Sequence, residues 1–266
     1  MEDSSTRKGG ESMHRDARVQ SFSRIDAGRP SMDELDRTGR GSIAAARSLA
    51  LGMLLLSGCA LAPTAPTRDR LERTQILALI QTLNADLLSH DSATSTLERW
   101  CGTHRLADPA RIVAQRVRGD VKPIPEELRT RLAVDAGEAL AYRHVRLMCG
   151  DRVLSEADNW YVPSRLSAEM NQRLDNSDEP FGKVVRALGF QRRTLTADLL
   201  WSPLPPGWEM AESPPGHEAL HVPKALLRHQ AVLYTSAQVP FSAVIETYTN
   251  SLLDFGSWAA RLDAGP

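Results

Sequence analysis

The sequence has no excess of charge of either sign: 32 Lys and Arg stand against 33 Asp and Glu, for a net charge of −1. Nothing therefore points to a nucleic acid or another highly charged partner. Cysteine is scarce, with only Cys59, Cys101 and Cys149. A phosphate-cradling glycine loop, a serine-nucleophile elbow and an internal repeat are also missing, and no βαβ alternation appears. No cofactor or metal is implied. What remains is 266 residues of ordinary hydrophobic content, enough for one well-filled domain plus extensions.

Residues 1–39 are rich in Ser, Arg, Asp and Gly and have no periodic apolar face, so they read as a disordered leader or an over-extended start, with Met32 as an alternative. Residues 40–59 place Arg40 and Arg47 ahead of the apolar core Leu49–Leu56 and then Ser57-Gly58-Cys59. This is a signal-peptide pattern, too short for a spanning helix. Leu56-Ser-Gly-Cys59 resembles the bacterial lipobox, which implies acylation at Cys59, cleavage before it and a stable membrane anchor. The absence of aspartate after Cys59 points to the outer membrane and the periplasmic side. An ordinary secretory signal, or a buried helix with a chance cysteine, fits the same residues; unused, the stretch would leave the chain cytoplasmic. Residues 60–67 hold two prolines and read as a linker.

The domain proper is expected over 68–266. Apolar residues from Leu71 to Leu88 recur at helical spacing, predicting a helix over Arg68–His90. Asp91-Ser92 suits the cap of a second helix from Ala93 to Trp100, ending at Cys101-Gly102. Arg111–Val117 reads as a strand and Ile124-Pro-Glu-Glu-Leu128 as a helical start. Tyr142 to Pro163 holds two strand-like runs joined by Gly150-Asp151, a hairpin with a Gly-first two-residue loop. Helices follow over Pro163–Leu174 and Pro180–Leu188, then strands over Gln191–Trp201, Leu226–Thr235 and Phe241–Leu252. A loop with six prolines spans 202–223. The expected class is α+β, an antiparallel sheet flanked by helices.

The order of Asp91-Ser92, Ile124–Leu128, the hairpin closing on Val162-Pro163, Pro180-Phe-Gly182, Thr194-Leu-Thr196 and a late strand carrying Glu246 resembles the chorismate lyase family. That fold is shared with effector-binding domains of GntR-type regulators. The resemblance implies pyruvate elimination from chorismate to give 4-hydroxybenzoate in a closed pocket. It also implies a catalytic role for Glu246, a pocket-lining role for Phe181 and a backbone contact at Ala93. The family's substrate-holding arginine falls on His144, flanked by Arg143 and Arg146. An unbroken two-residue turn sets Arg143 opposite Asp158, His144 opposite Ala157 and Arg146 opposite Ser155, which favours Arg146. Arg143 replaces it only if a bulge shifts the register by one. The alternative function is a non-catalytic envelope lipoprotein that binds a small aromatic carboxylate as a monomer.

Two further patterns stay open. His217-Glu-Ala-Leu-His221 has zinc-protease spacing, but prolines on both sides leave no helix to hold the imidazoles. Cys101 and Cys149 are candidates for a disulfide if the chain is exported, and for two buried thiols if not. The tryptophans and tyrosines read as core.

Overall fold

A computed structural model of the chain describes residues 65–119, 121–135, 137–210 and 220–256. The leader, the signal pattern with Cys59, and His217 with Glu218 lie outside the described residues. The first helix, α1 (Ala65–Leu88), begins within the stretch expected as linker, with Pro66 in the first turn, where a missing N–H costs nothing. It buries Ile76, Ile80, Leu83 and Leu87, one stripe at helical spacing, whereas Leu71, expected on that face, is 58% exposed. Ser92 caps α2 (Ala93–Thr103), its Oγ accepting from the Ser95 N–H at 3.2 Å. The helix runs through Cys101-Gly102 because Cys101 is buried there and bonded to Cys149, with 6.3 Å between the Cα atoms.

Strand β1 (Ile112–Arg116) and helix α3 (Glu126–Leu132) precede the hairpin of β2 (Ala141–Cys149) and β3 (Arg152–Tyr161). The region expected as one helix over Pro163–Leu174 is a 3-10 turn, Pro163–Arg165, followed by α4 (Ala168–Asn176). The break comes at Ser167, which is extended and accepts from the Met170 N–H at 3.1 Å, starting a new helix. A short α5 (Phe181–Val184) passes into a 3-10 turn ending at Gly189. Strands β4 (Gln191–Leu199), β5 (Ala225–Tyr234) and β6 (Pro240–Thr249) complete a six-stranded sheet in the order β1-β2-β3-β6-β5-β4, antiparallel throughout.

The α+β class is therefore as expected. One sheet face, including Val145, Leu147, Ala157, Val244 and Tyr248, packs with α1, α2, α4 and α5 into the main core. On the other face Leu128 and Leu132 of α3 cover Trp160, Val232 and Ala243. Within the Pro-rich stretch, Arg73 donates to the Pro203 carbonyl and Arg70 to that of Trp208, which fastens the loop to α1.

The hairpin register departs from the expected one. Gly150 adopts φ +59°, and a Cβ there would sit 2.9 Å from the Ala107 Cβ, so the turn requires glycine. Beyond the turn Met148 pairs with Val153, but Leu147 pairs with Ser155, leaving Leu154 as an extra residue in a bulge. Leu154 and Ser155 are both fully buried, a demand that strict alternation cannot meet. The bulge shifts the pairing by one, setting Arg143 opposite Asn159, His144 opposite Asp158 and Arg146 opposite Glu156. Arg143 turns to the main core with Val145 and Leu147, whereas Arg146 lies outside, 3.4 Å from Glu156. The expectation that favours Arg146 is thus corrected: the bulge that puts Arg143 in its place is present.

Candidate functional site

Between the core face of the sheet and the starts of α2 and α5 lies a cavity of about 60 Å³. Its apolar walls come from β2 (Val145, Leu147), β3 (Ala157), β5 (Leu233) and β6 (Val244), with Phe181 and Phe190 opposite. Phe181 stacks within 6.3 Å of Phe241 and tilts 5.5 Å from Tyr161. Ser92, Ala93 and Thr94 close one end, bringing to the cavity the first turn of α2, whose N–H groups have no partners within the helix. Asp91 does not cap α2; its carboxylate accepts from the Arg192 backbone N–H at 2.8 Å and ties the start of β4 to this loop.

The sheet brings the polar side chains Arg143, Asn159, Arg192 and Glu246 to the cavity, besides Asp91, Ser92 and Thr94 at the start of α2. Arg143 is 3% exposed, and its two terminal nitrogens donate to the carbonyls of Glu179 at 3.1 Å and Ser177 at 3.2 Å. Its Nε has no hydrogen-bond partner. Burial first, and then the nearby Arg116 charge, push its pKa below the usual arginine value. Glu246, 3% exposed, accepts from Ser155 Oγ at 2.8 Å through Oε1, while Oε2 lies 3.6 Å from Arg192 Nη1. Arg192 is 5% exposed, and its Nε and Nη2 have no partner. Asn159 is held by Ser242, which donates to its Oδ1 at 3.0 Å.

A second layer of polar groups stands behind Glu246. His229, paired with it across β5 and β6, donates from Nε2 to Asn84 Oδ1 of α1 at 2.9 Å. Asn84 offers its carbonyl oxygen there, so Nε2 carries the hydrogen and the buried Nδ1 is left without a partner. Burial, then the Arg192 charge, lower the His229 pKa to about 4. Tyr248, edge-on to His229, has its pKa raised by burial and then by the Glu246 charge.

Of the residues singled out from the sequence, Glu246, Arg143, Phe181 and Ala93 meet in this cavity, and His144 and Arg146 do not. Arg192 went unread. Its signal was the doublet Arg192-Arg193 at the head of a strand, since neighbouring side chains point to opposite faces and one of the two must turn inward. Arg193 is the outward one, with its guanidinium 4.2 Å above the Tyr234 ring.

No family model matches the chain. Over 188 residues it is 56% identical to uncharacterized protein y4mC of Sinorhizobium fredii (strain NBRC 101917 / NGR234), covering 70% of this chain and 79% of that one. The chain belongs to the y4mC family. Solved structures similar to this y4mC-family chain include PhnF from Mycobacterium smegmatis, at 17% identity and a TM-score of 0.41 over 61% of this chain and 65% of PhnF, just under two thirds of its length. The effector domain of PhnF alone gives 15% and 0.39 over 60% of this chain and 89% of the domain. A GntR-family transcriptional regulator from Enterococcus faecalis V583 gives 17% and 0.34, over 54% and 97%. At such identities and TM-scores these likenesses say nothing of ligand or activity.

Proposed function

We propose that the cavity binds a small aromatic carboxylate. The observation that carries this reading is the pair of buried guanidiniums, Arg192 with two unpartnered nitrogens and Arg143 with one, lining a cavity whose other walls are mostly aliphatic and aromatic. A buried charged donor without an acceptor is costly, and a carboxylate matches the planar fork of a guanidinium. The start of α2 adds further N–H donors at one end, and Phe181 and Phe190 offer apolar surface for a ring. Titration of the purified chain with 4-hydroxybenzoate by calorimetry tests it: saturable binding weakened about 10- to 100-fold by Arg192→Ala is expected. Unchanged affinity in that variant refutes it.

A second reading, elimination of pyruvate from chorismate, is favoured by Glu246, a buried carboxylate in the same cavity beside Arg192. Formation of 4-hydroxybenzoate from chorismate, lost in Glu246→Ala, is the deciding assay. We give the binding module precedence because Glu246 is already engaged by Ser155 and faces Arg192.

The proposal extends to location: an exported chain acylated at Cys59. The Cys101–Cys149 disulfide supports an oxidising compartment. Among the described residues no helix is long and apolar enough to cross a membrane. Incorporation of labelled palmitate, abolished by Cys59→Ala, is the expected result. Chorismate is made and used in the cytosol, and an exported chain would meet little of it, which again favours binding over catalysis.

A further inference from the structure

A second cleft, of about 340 Å³, opens where β1 ends and the chain leaves β2 uncovered. Arg116, Arg118, Tyr142, Arg143 and His144 line it, and among the described residues no carboxylate does. β1 stops pairing at Arg116, and Val117 N–H donates to the His144 carbonyl at 2.9 Å, so the backbone here turns away and leaves these side chains facing one space. The acids nearest the rim are committed elsewhere. Asp158 receives the Tyr142 hydroxyl at 2.6 Å and lies 2.7 Å from Lys122 Nζ, and Glu156 pairs with Arg146 and Lys224. Asp175 and Asp178 act on Arg143 from the α4 side, but Arg116 meets Asp175 through its backbone carbonyl, at 2.6 Å. Among the described residues Arg118 makes no ion pair or hydrogen bond.

We propose that this cleft is a second binding site, separate from the internal cavity, for an oxyanion of the phosphate monoester class. Arg116 and Arg118 are its charged ligands, and Arg143 is the wall it shares with the cavity. Several guanidiniums around one space suit a tetrahedral group with three accepting oxygens better than a planar carboxylate, which a single fork satisfies. An anion there also offsets the repulsion between Arg116 and Arg143, which now weakens the hold of Arg143 on its own charge. The same chemistry is offered by a free phosphate ester and by a lipid headgroup.

The test uses the full-length chain with two probes, glycerol 3-phosphate in solution and phosphatidylcholine vesicles with and without phosphatidic acid. Saturable binding of glycerol 3-phosphate, about tenfold weaker in Arg118→Ala and partly kept in Arg118→Lys, supports a soluble ester. Binding only to vesicles that contain phosphatidic acid, with the same dependence on Arg118, supports the site with a headgroup as its occupant. In either case Arg192→Ala leaves the binding unchanged. Equal affinity in wild type, Arg116→Ala and Arg118→Ala overturns the proposal, as does binding to neither probe. A loss confined to Arg192→Ala also overturns it, because the anion would then lie in the internal cavity.

Discussion

Two guanidiniums decide what the cavity can hold, and they are built differently. Arg143 spends both terminal nitrogens on backbone carbonyls of the segment between α4 and α5, so its removal also orphans those acceptors. Arg143→Ala is expected to lower stability by about 1–3 kcal/mol in denaturant titrations, besides weakening 4-hydroxybenzoate. Arg192 makes no such backbone contacts and has Glu246 Oε2 3.6 Å from its Nη1, so Arg192→Lys should keep the fold while losing the planar fork. Arg146→Ala, on the outer face, should change binding less than twofold or so, since its exposed pair with Glu156 contributes little. Calorimetry on the three variants gives the order. His229 makes a separate prediction. Its folded pKa of about 4 lies below the ordinary 6.5, so protons favour the unfolded chain between those values. Stability is complete above the upper value and falls as pH drops from 6.5 towards 4, by up to about 3 kcal/mol. His229→Gln, whose amide can still donate to Asn84, should flatten that part of the stability profile measured by urea titration.

At the level of elements, local chemistry marked most of the boundaries. Ser92 was readable as a cap because a hydroxyl before an apolar run answers the first free N–H groups, and Ser92→Ala should cost about 1 kcal/mol, measured as a shift in denaturant midpoint. Ser167 carries the same signal, yet the apolar spacing across it masked the break between the 3-10 turn and α4. The strands and the α+β class followed from periodicity and turn residues. Which side of β2 faces inward did not, because the answer depends on a bulge whose cause is tertiary: two adjacent residues, Leu154 and Ser155, are both wanted in the core. Ser155 is wanted there because it donates to Glu246 on the neighbouring strand β6, a contact far from the turn in sequence. The lining of the cavity was therefore readable for Glu246, Phe181 and Ala93 through the family resemblance, for Arg143 only through the bulge alternative, and for Arg192 not at all.

For the molecule as a whole, one covalent link ties a helix to the sheet. Cys101 and Cys149 are 48 residues apart, and closing such a loop stabilises by about 4 kcal/mol in the chain-entropy description. The Cys101→Ala, Cys149→Ala double variant should unfold at a clearly lower urea concentration than wild type, and non-reduced peptide mapping should find the two cysteines joined. The same link bears on the hairpin. At its turn end β2 is fastened to β1 and, through Cys149, to α2, while β3 is fastened to β6 along seven residue pairs from Ser155 to Tyr161. Neither strand is free to slide. Deleting a single codon at Leu154 would take out the unpaired residue and leave the pairs on both sides of it in phase, so the hairpin would become regular at the cost of one fully buried leucine. The extra residue therefore serves the core and not the register: it brings Leu154 and Ser155 inside together while the strands on either side keep their partners.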